Sequence, residues 1–287
     1  MDNHVSVVVP VGPRSADLPD QLRALARQDP AQGFDLVLSA NGASQASVEA
    51  VARRVDWPEH VRVRVVDSSD RPGPGHARNV GWRHAAGTFV LFCDADDVVD
   101  DRWVVEMTSA LEEAPVVGGR LDHERLNPPS LSSWGAISAH ALPSKFHHLP
   151  FAGSCNLGIR RDVLEMLEGF DEHLSASEDA DLCWRAQYLG HELRMAPSAL
   201  VSYRRRPDAR SLFAQARNDA RNDARLLARH RPHGARWTAV DLAREAAGTC
   251  AAMLGAPVSL SRRLQFAARA GRLSGHLRAA RAMARTT

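Results

Sequence analysis

A chain of 287 residues, 44% hydrophobic and 24% charged, has ordinary globular composition, which excludes a disordered or fibrous protein and leaves ample residues for a core. The net charge of +2 hides an asymmetry: residues 201–287 hold 18 arginines against 5 acids, whereas residues 1–200 hold 29 acids against 18 Lys and Arg. An acidic body with a basic tail, and no apolar run near the roughly 18 residues of a spanning helix, argues against a nucleic-acid binder and an integral membrane protein.

Val5 to Val9 is a continuous apolar run closed by Pro10 and predicts a buried strand. Leu18, Leu22 and Leu25 follow at helical spacing. Phe34 to Leu38 predicts a second strand, ending at the turn Asn41-Gly42. Val48, Val51 and Val55 mark a second helix, and Val61 to Val66 a third strand. The loop Arg71-Pro72-Gly73-Pro74-Gly75 leads into a helix over about His76 to Ala86, and Phe89 to Cys93 is the next strand. Strands alternating with helices predict an α/β fold: a mostly parallel sheet flanked by helices.

After Asp97 the pattern changes. Trp103 to Leu111 predicts a helix and Val116-Val117 a short strand. Residues 123–154 carry Pro128, Pro129, Pro143 and Pro150 and are too long for a plain connector, so a functional loop is expected there. Asn156 to Arg160 resumes a strand, a helix covers about Arg161 to Leu167, and another runs from about Glu178 to Leu189. From about Asp208 onward only helices are expected, with breaks near Pro232 and Pro257. The tetrapeptide Ala-Arg-Asn-Asp occurs twice within residues 216–223.

Three constellations carry chemistry. The first is Asp94-Ala95-Asp96-Asp97 at the end of the Phe89 strand. Clustered carboxylates there repel one another unless a cation intervenes, and that end of an open α/β sheet is where ligands bind. Mg2+ or Mn2+ suits such oxygen donors. The alternative is that Asp97 or Asp100 caps the Trp103 helix. The second is Gly73-Pro74-Gly75-His76-Ala77-Arg78-Asn79-Val80-Gly81, a glycine-led helix start that favours anions. It could equally be a turn with Arg78 and Asn79 on the surface. The third is Ser177-Glu178-Asp179-Ala180-Asp181. Its acids either complement a helix dipole or include a general base.

Taken in order, Val-Ser-Val-Val-Val-Pro-Val at 5–11, Gly-x-x-x-Ala-Arg-Asn-Val-Gly at 73–81, Asp-Ala-Asp-Asp at 94–97 and Gly-Phe-Asp-Glu…Glu-Asp-Ala-Asp-Leu-Cys-Trp-Arg at 169–185, the chain resembles glycosyltransferase family 2 over about residues 5 to 205. The resemblance implies a GT-A fold and inverting transfer of a sugar from a nucleotide diphosphate donor. It implies that Pro10, Val11 and Asn41 border the nucleoside base and that Arg78 lies by the donor. Asp94 would face the ribose or the metal, and Asp96 would ligate the metal bridging the diphosphate. Asp179, with Glu178 beside it, would be the acceptor-side base, and Asp97 would be structural.

Two departures leave the base open, with UDP or dTDP as default. The first strand is followed by Gly12-Pro13-Arg14, without the family's frequent aromatic and asparagine. The second ends Ser39-Ala40-Asn41-Gly42-Ala43-Ser44, without its frequent aspartates. The Gln-x-x-Arg-Trp motif of processive members is absent, so one sugar per encounter is expected. The acceptor stays open among a glycan, a lipid-linked glycan and a small natural product. The expected division is a GT-A catalytic domain over 1–207, with a nucleotide-sugar half at 1–97 and an acceptor half at 98–207. A basic helical region follows at 208–287. The competing readings are a sugar nucleotidyltransferase and a non-catalytic nucleotide-sugar-binding partner.

In the basic region Arg217, Arg221, Arg225 and Arg229 recur every four residues and form one helix stripe. The stripe fits a solvated helix packed on the catalytic domain. It also fits a peripheral membrane contact in which Leu264, Phe266, Leu273 and Leu277 insert, or a homo-oligomer contact. The His147-His148 pair reads as exposed loop or acceptor cover, Trp184 as core rather than sugar platform, and Arg204-Arg205-Arg206 as a surface run or a diphosphate contact. The four cysteines form no CxxC or zinc spacing, and Met1-Asp2-Asn3-His4 lacks a basic flank and an apolar core. Free thiols, no export signal and a cytoplasmic location are therefore expected.

Overall fold

The computed structural model describes residues 4–13, 16–29, 33–132 and 141–283. Strands β1 (Val5–Val11), β2 (Phe34–Ala40), β3 (Val61–Asp67) and β4 (Phe89–Cys93) are parallel and alternate with helices α1 (Leu18–Ala26), α2 (Gln45–Ala52) and α3 (Pro74–His84). The chain continues through β5 (Val98–Val99), α4 (Trp103–Glu113), β6 (Val116–Asp122), α5 (Pro129–Ser132), β7 (Asn156–Arg160), α6 (Arg161–Met166), α7 (Glu178–Tyr188) and β8 (Leu193–Ser202). It ends in α8 (Ala209–His230), a 3-10 turn at Arg231–His233, α9 (Ala239–Gly255) and α10 (Leu260–Met283).

The eight strands form one sheet in the order β3-β2-β1-β4-β7-β6-β8-β5. β7 is antiparallel to both β4 and β6, so β4 marks the seam between a parallel half and a mixed half. The aspartates that follow β4 therefore emerge in the middle of the sheet.

Strand side chains alternate between faces, and both faces are covered, which explains the unbroken apolar runs of β1 and β4. Val7, Val9, Leu36, Leu38 and Leu91 pack with Leu18, Leu22 and Leu25 of α1 and Trp103 of α4. On the other face Val8, Val37, Val90 and Phe92 pack with Trp82 of α3, Val163 of α6 and Leu182 of α7.

Three elements depart from the sequence expectations. β1 runs through Pro10 to Val11 because pairing with β4 stops at Val8, so β4 needs no N–H from the proline. β6 reaches Asp122, well past Val117. The ten-residue β8 interrupts its own apolar pattern at Pro197, where the ladder with β6 shifts register between Gly119 and Arg120.

α8 and α10 pack closely: a Cβ on Gly271 or Gly275 of α10 would overlap the backbone at Phe213 or Arg217 of α8. Leu226 of α8 is buried with Trp184 and Ala180 of α7, which seats the basic helices on the sheet-bearing body.

Candidate active site

The site grows from the carboxyl end of β4. The turn after it is fixed by two buried glutamines of α1 and its C-terminal continuation. Gln21 donates to the Asp94 carbonyl (3.0 Å) and accepts from the Val99 N–H (3.0 Å). Gln28 donates to the Asp100 carbonyl (2.7 Å) and accepts from the Val104 N–H (2.9 Å). Sequence reasoning missed both. Their signal was there: polar residues at i and i+7 on the stripe of Leu18, Leu22 and Leu25. Asp100 Oδ1 accepts the Arg102 N–H at 3.3 Å at the entry to the Trp103 helix, whereas Asp97 makes no such bond, so capping accounts for Asp100 and not for the carboxylates at 94, 96 and 97.

Arg78 is the hub. α3 starts after Gly73, whose φ of 142° favours glycine, and points Arg78 inward. Arg78 is only 3% exposed. One nitrogen reaches Asp94 Oδ1 at 2.7 Å and the other Glu178 Oε1 at 2.7 Å, and the carbon sits 5.7 Å from the Phe170 ring centre. Burial opposes its charge, but Asp94 and Glu178 outweigh that and raise its pKa further. Arg78 therefore joins the β4 exit to the start of α7. Asn79 is buried too: it donates to the Phe170 carbonyl (2.9 Å) and Glu172 (2.8 Å) and accepts from the Phe170 N–H (2.9 Å). The surface reading of Arg78 and Asn79 is thus corrected.

Glu178 is 5% exposed and faces Arg78. Burial lifts its carboxyl to about 7, with Arg78 opposing and Asp179 adding to the rise. Asp179 differs. Its Oδ2 accepts the Ser154 N–H at 3.2 Å and its Oδ1 the Ala180 N–H at 2.8 Å. Ser177 just before them sits at φ 64°, and that left-handed residue turns the chain into α7.

The three β4 carboxylates part company. Asp96 pairs with Arg206 at 2.9 Å, and Arg204 donates to the Asp96 carbonyl at 2.8 Å. The arginine run after β8 thus lies at the site and is no mere surface charge. Asp97 accepts the Arg204 N–H on Oδ1 (2.7 Å), while its Oδ2 is buried without a partner. Burial, helped by Asp94 and Asp96, pushes Asp97 well above the usual carboxylate range. Burial and Asp94 also raise Asp96, against the pull of Arg206. Single donor atoms of Asp94, Asp97 and Cys155 lie within 4.8 Å of one another. An orphaned carboxylate oxygen beside a second carboxylate is a donor set that fits a divalent cation such as Mg2+ or Mn2+. Cys155 is a buried thiol whose pKa burial drives upward, which makes it a poor ligand for either ion.

The residues expected to border the base take different places. Val11 is buried and Pro10 half-buried in β1. The Asn41 carboxamide is occupied by its own neighbourhood: it donates to the Ser68 and Arg71 carbonyls and accepts the Gly73 N–H at 3.0 Å. It fastens the β3–α3 loop that launches Arg78. Arg14 lies outside the described residues. Of the lone residues, Trp184 is buried and donates to the Leu149 carbonyl (2.8 Å), a core role. His148 packs edge-on to it, and exposed His147 meets Asp241. Leu264 is buried with Leu131 and Leu212, so it inserts into the fold and not into a membrane. Among the described residues no helix is long and apolar enough to cross one.

A mixed, mostly parallel sheet with carboxylates at its central carboxyl edge and a buried arginine behind them defines a GT-A-type domain. A family model described as "Glycosyltransferase like family 2" matches residues 2–223. The chain belongs to that family. The pre-mycofactocin glycosyltransferase of Mycobacterium tuberculosis is 32% identical over 187 residues, covering 60% of this chain and 38% of the relative. The chain thus spans well under half of that relative. Glycosyltransferase AglE of Haloferax volcanii is 24% identical, covering 74% of this chain and 71% of AglE. Two solved structures share the fold. The mannosyltransferase PcManGT of Pyrobaculum calidifontis, in complex with GDP-Man and Mn2+, has a TM-score of 0.67 at 18% identity, covering 96% of this chain and 87% of its own. TarS 1–349 of Staphylococcus aureus, in complex with UDP-GlcNAc, has a TM-score of 0.56 at 17% identity, covering 99% and 92%.

Proposed function

We propose that this chain is a metal-dependent, inverting and non-processive glycosyltransferase that moves one sugar from a nucleotide diphosphate sugar to an acceptor hydroxyl. The observation that carries the reading is the Arg78 bridge, which brings the cation-suited carboxylates of β4 and the acids of α7 to one site. Relatives solved with GDP-Man and Mn2+ or with UDP-GlcNAc support a nucleotide-sugar donor.

Asp96 and Asp94 would hold the metal, with Asp97 Oδ2 near it, and the metal supplies charge neutralisation to a leaving diphosphate. Arg78 keeps Asp94 aimed and adds a fixed positive charge behind the donor. Asp179 is the general base: two backbone N–H groups orient its carboxylate, and a hydroxyl beside it would lose its proton as it attacks the anomeric carbon. A one-step attack from the face opposite the leaving group inverts that carbon. Glu178 faces Arg78 and acts as its positioning partner, so Asp179 is preferred to Glu178 as the base.

Slow hydrolysis of the donor, with water as acceptor, tests the chemistry without knowledge of the natural acceptor. Proton NMR should show the first-released sugar with the anomeric configuration opposite to the donor's. Asp179→Asn should slow this release by about 100-fold or more while nucleotide binding persists. Retained configuration would reject inversion, and full activity in the variant would move the base elsewhere, first to Glu178. Pyrophosphate release from a nucleoside triphosphate would instead identify a nucleotidyltransferase.

A further inference from the structure

The helices after β8 enclose a cleft together with the turn at 144–147. Its apolar end, a cavity of about 300 Å3, is lined by Phe146, Leu227, Trp237 and Leu242. Its open end, about 530 Å3, is lined by Lys145, Arg244, Arg269 and Arg272. Phe146, Trp237 and His276 line both ends, so the cleft is continuous.

The acids on its walls are partnered, except that Glu245 Oε1 is buried without a hydrogen-bond partner. Asp223 meets Lys145 (2.8 Å) and the Ser177 hydroxyl (2.7 Å). Asp241 binds Thr238 and His147, and Glu245 holds His276 Nδ1 at 2.8 Å. Arg244, Arg269 and Arg272 have no ion pair or hydrogen bond among the described residues, although the Arg272 charge, like that of Lys145, acts on the buried Asp219 carboxyl and opposes the rise that burial gives it. His276 is 7% exposed, its Nε2 is buried without a partner, and Trp237 lies 4.3 Å from it between ring centres. A buried ring nitrogen left unpaired is costly, and here it belongs to a side chain that lines a cationic cleft.

The cleft adjoins the reacting end of α7. Lys145, the chain's single lysine, donates to the Ser177 hydroxyl (3.0 Å), one residue before Glu178. The segment that carries Lys145 and Phe146 also carries Ser154, which holds Asp179.

We propose that this cleft holds the part of the acceptor remote from the reacting hydroxyl, and that this part joins an anionic, phosphate-type group to an apolar body. The acceptor role rests on the transferase reading above. Arginine forks suit phosphate oxygens, and the Trp237–Leu227–Leu242 end suits an apolar group. Binding energy gathered there would hold the acceptor hydroxyl against Asp179.

The probe is octyl phosphate, titrated calorimetrically into the full chain, with inorganic phosphate and octyl glucoside as controls. Octyl phosphate should bind at least about tenfold more tightly than either control, and Arg272→Gln and Trp237→Leu should each weaken it about tenfold. Mn2+-dependent binding of a nucleotide sugar should be unchanged in both variants. Arg272 lies at the exposed rim, so its variant tests the cleft without disturbing packing at Trp237. Octyl phosphate binding no better than octyl glucoside, or unchanged in both variants, overturns the proposal. Sedimentation with phosphatidylglycerol vesicles that both variants retain, without octyl phosphate binding, overturns it in favour of a membrane surface. Absence of any nucleotide-sugar binding defeats the transferase reading separately, whatever octyl phosphate does.

Discussion

Arg78 shows most clearly how single residues set the site. Its guanidinium compensates two carboxylates across the seam between β4 and α7. Removing one member of a buried pair strands the other charges. Arg78→Met should therefore cost about 3 kcal/mol or more of stability, read by urea denaturation, and should abolish donor binding. Glu178 makes a pH prediction. Burial raises its carboxyl from 4.5 to about 7, so between those values the folded chain holds a proton that the unfolded chain has released. Stability from this group is full below pH 4.5 and is lost as pH rises through about 7. Glu178→Gln should flatten the fall in melting temperature across that window. An unchanged slope would place the titrating group elsewhere.

At the scale of elements, α3 is the part that must not move. A Cβ on Gly81 would overlap Val8 Cγ1 of β1, which is central and cannot yield. Gly81→Ala should push α3 off the sheet, cost about 1–3 kcal/mol and displace Arg78, so both melting temperature and donor affinity should drop. An unaltered donor affinity would mean that α3 placement does not govern the site. β1 and β4 were legible as unbroken apolar runs because both faces are covered, and α4 was legible because it buries a regular stripe. The aspartates after β4 were legible as a cluster, because three carboxylates at a strand end have few structural uses. β8 was not legible, since Pro197 and a register shift hide its alternation. Nor were the long-range polar contacts. The leucine stripe marks Gln21 and Gln28 as inward-facing, but nothing local says which turn, more than 70 residues away, they would brace, or that Asn41 would fasten its own loop. Those bonds depend on which elements become neighbours, and hydrophobic period alone does not encode that.

Across the whole molecule, a buried polar junction adds to the apolar contacts that tie the basic helices to the acidic body. His230 of α8 has Nε2 2.9 Å from Asp181 Oδ1 and Nδ1 2.9 Å from the Tyr188 hydroxyl. With Nε2–H donating to the carboxylate, Nδ1 accepts from the tyrosine. Arg229, though exposed, pairs with both Asp171 and Asp181, so the end of the arginine stripe touches the body. His230→Ala should leave Asp181 short of a donor and open a cavity, costing about 2–4 kcal/mol. A melting temperature within a degree of wild type would show that the helices are held by other contacts. The charge asymmetry visible in the sequence thus becomes an arrangement: acids gathered at the candidate site, and arginines that partly seat their helices and partly line a second cleft.

The claim on which the account turns is that a nucleotide sugar and a divalent cation meet at Asp94, Asp96 and Arg78. A thermal-shift panel of nucleotide sugars with and without Mn2+ tests it most directly, because a ligand that binds only the folded state raises the melting temperature. The account predicts that at least one nucleotide sugar stabilises the wild-type chain only when Mn2+ is present, and that Asp96→Ala abolishes the shift while the variant still unfolds cooperatively. A panel in which no nucleotide sugar shifts the transition, or in which Asp96→Ala responds as wild type does, would contradict it.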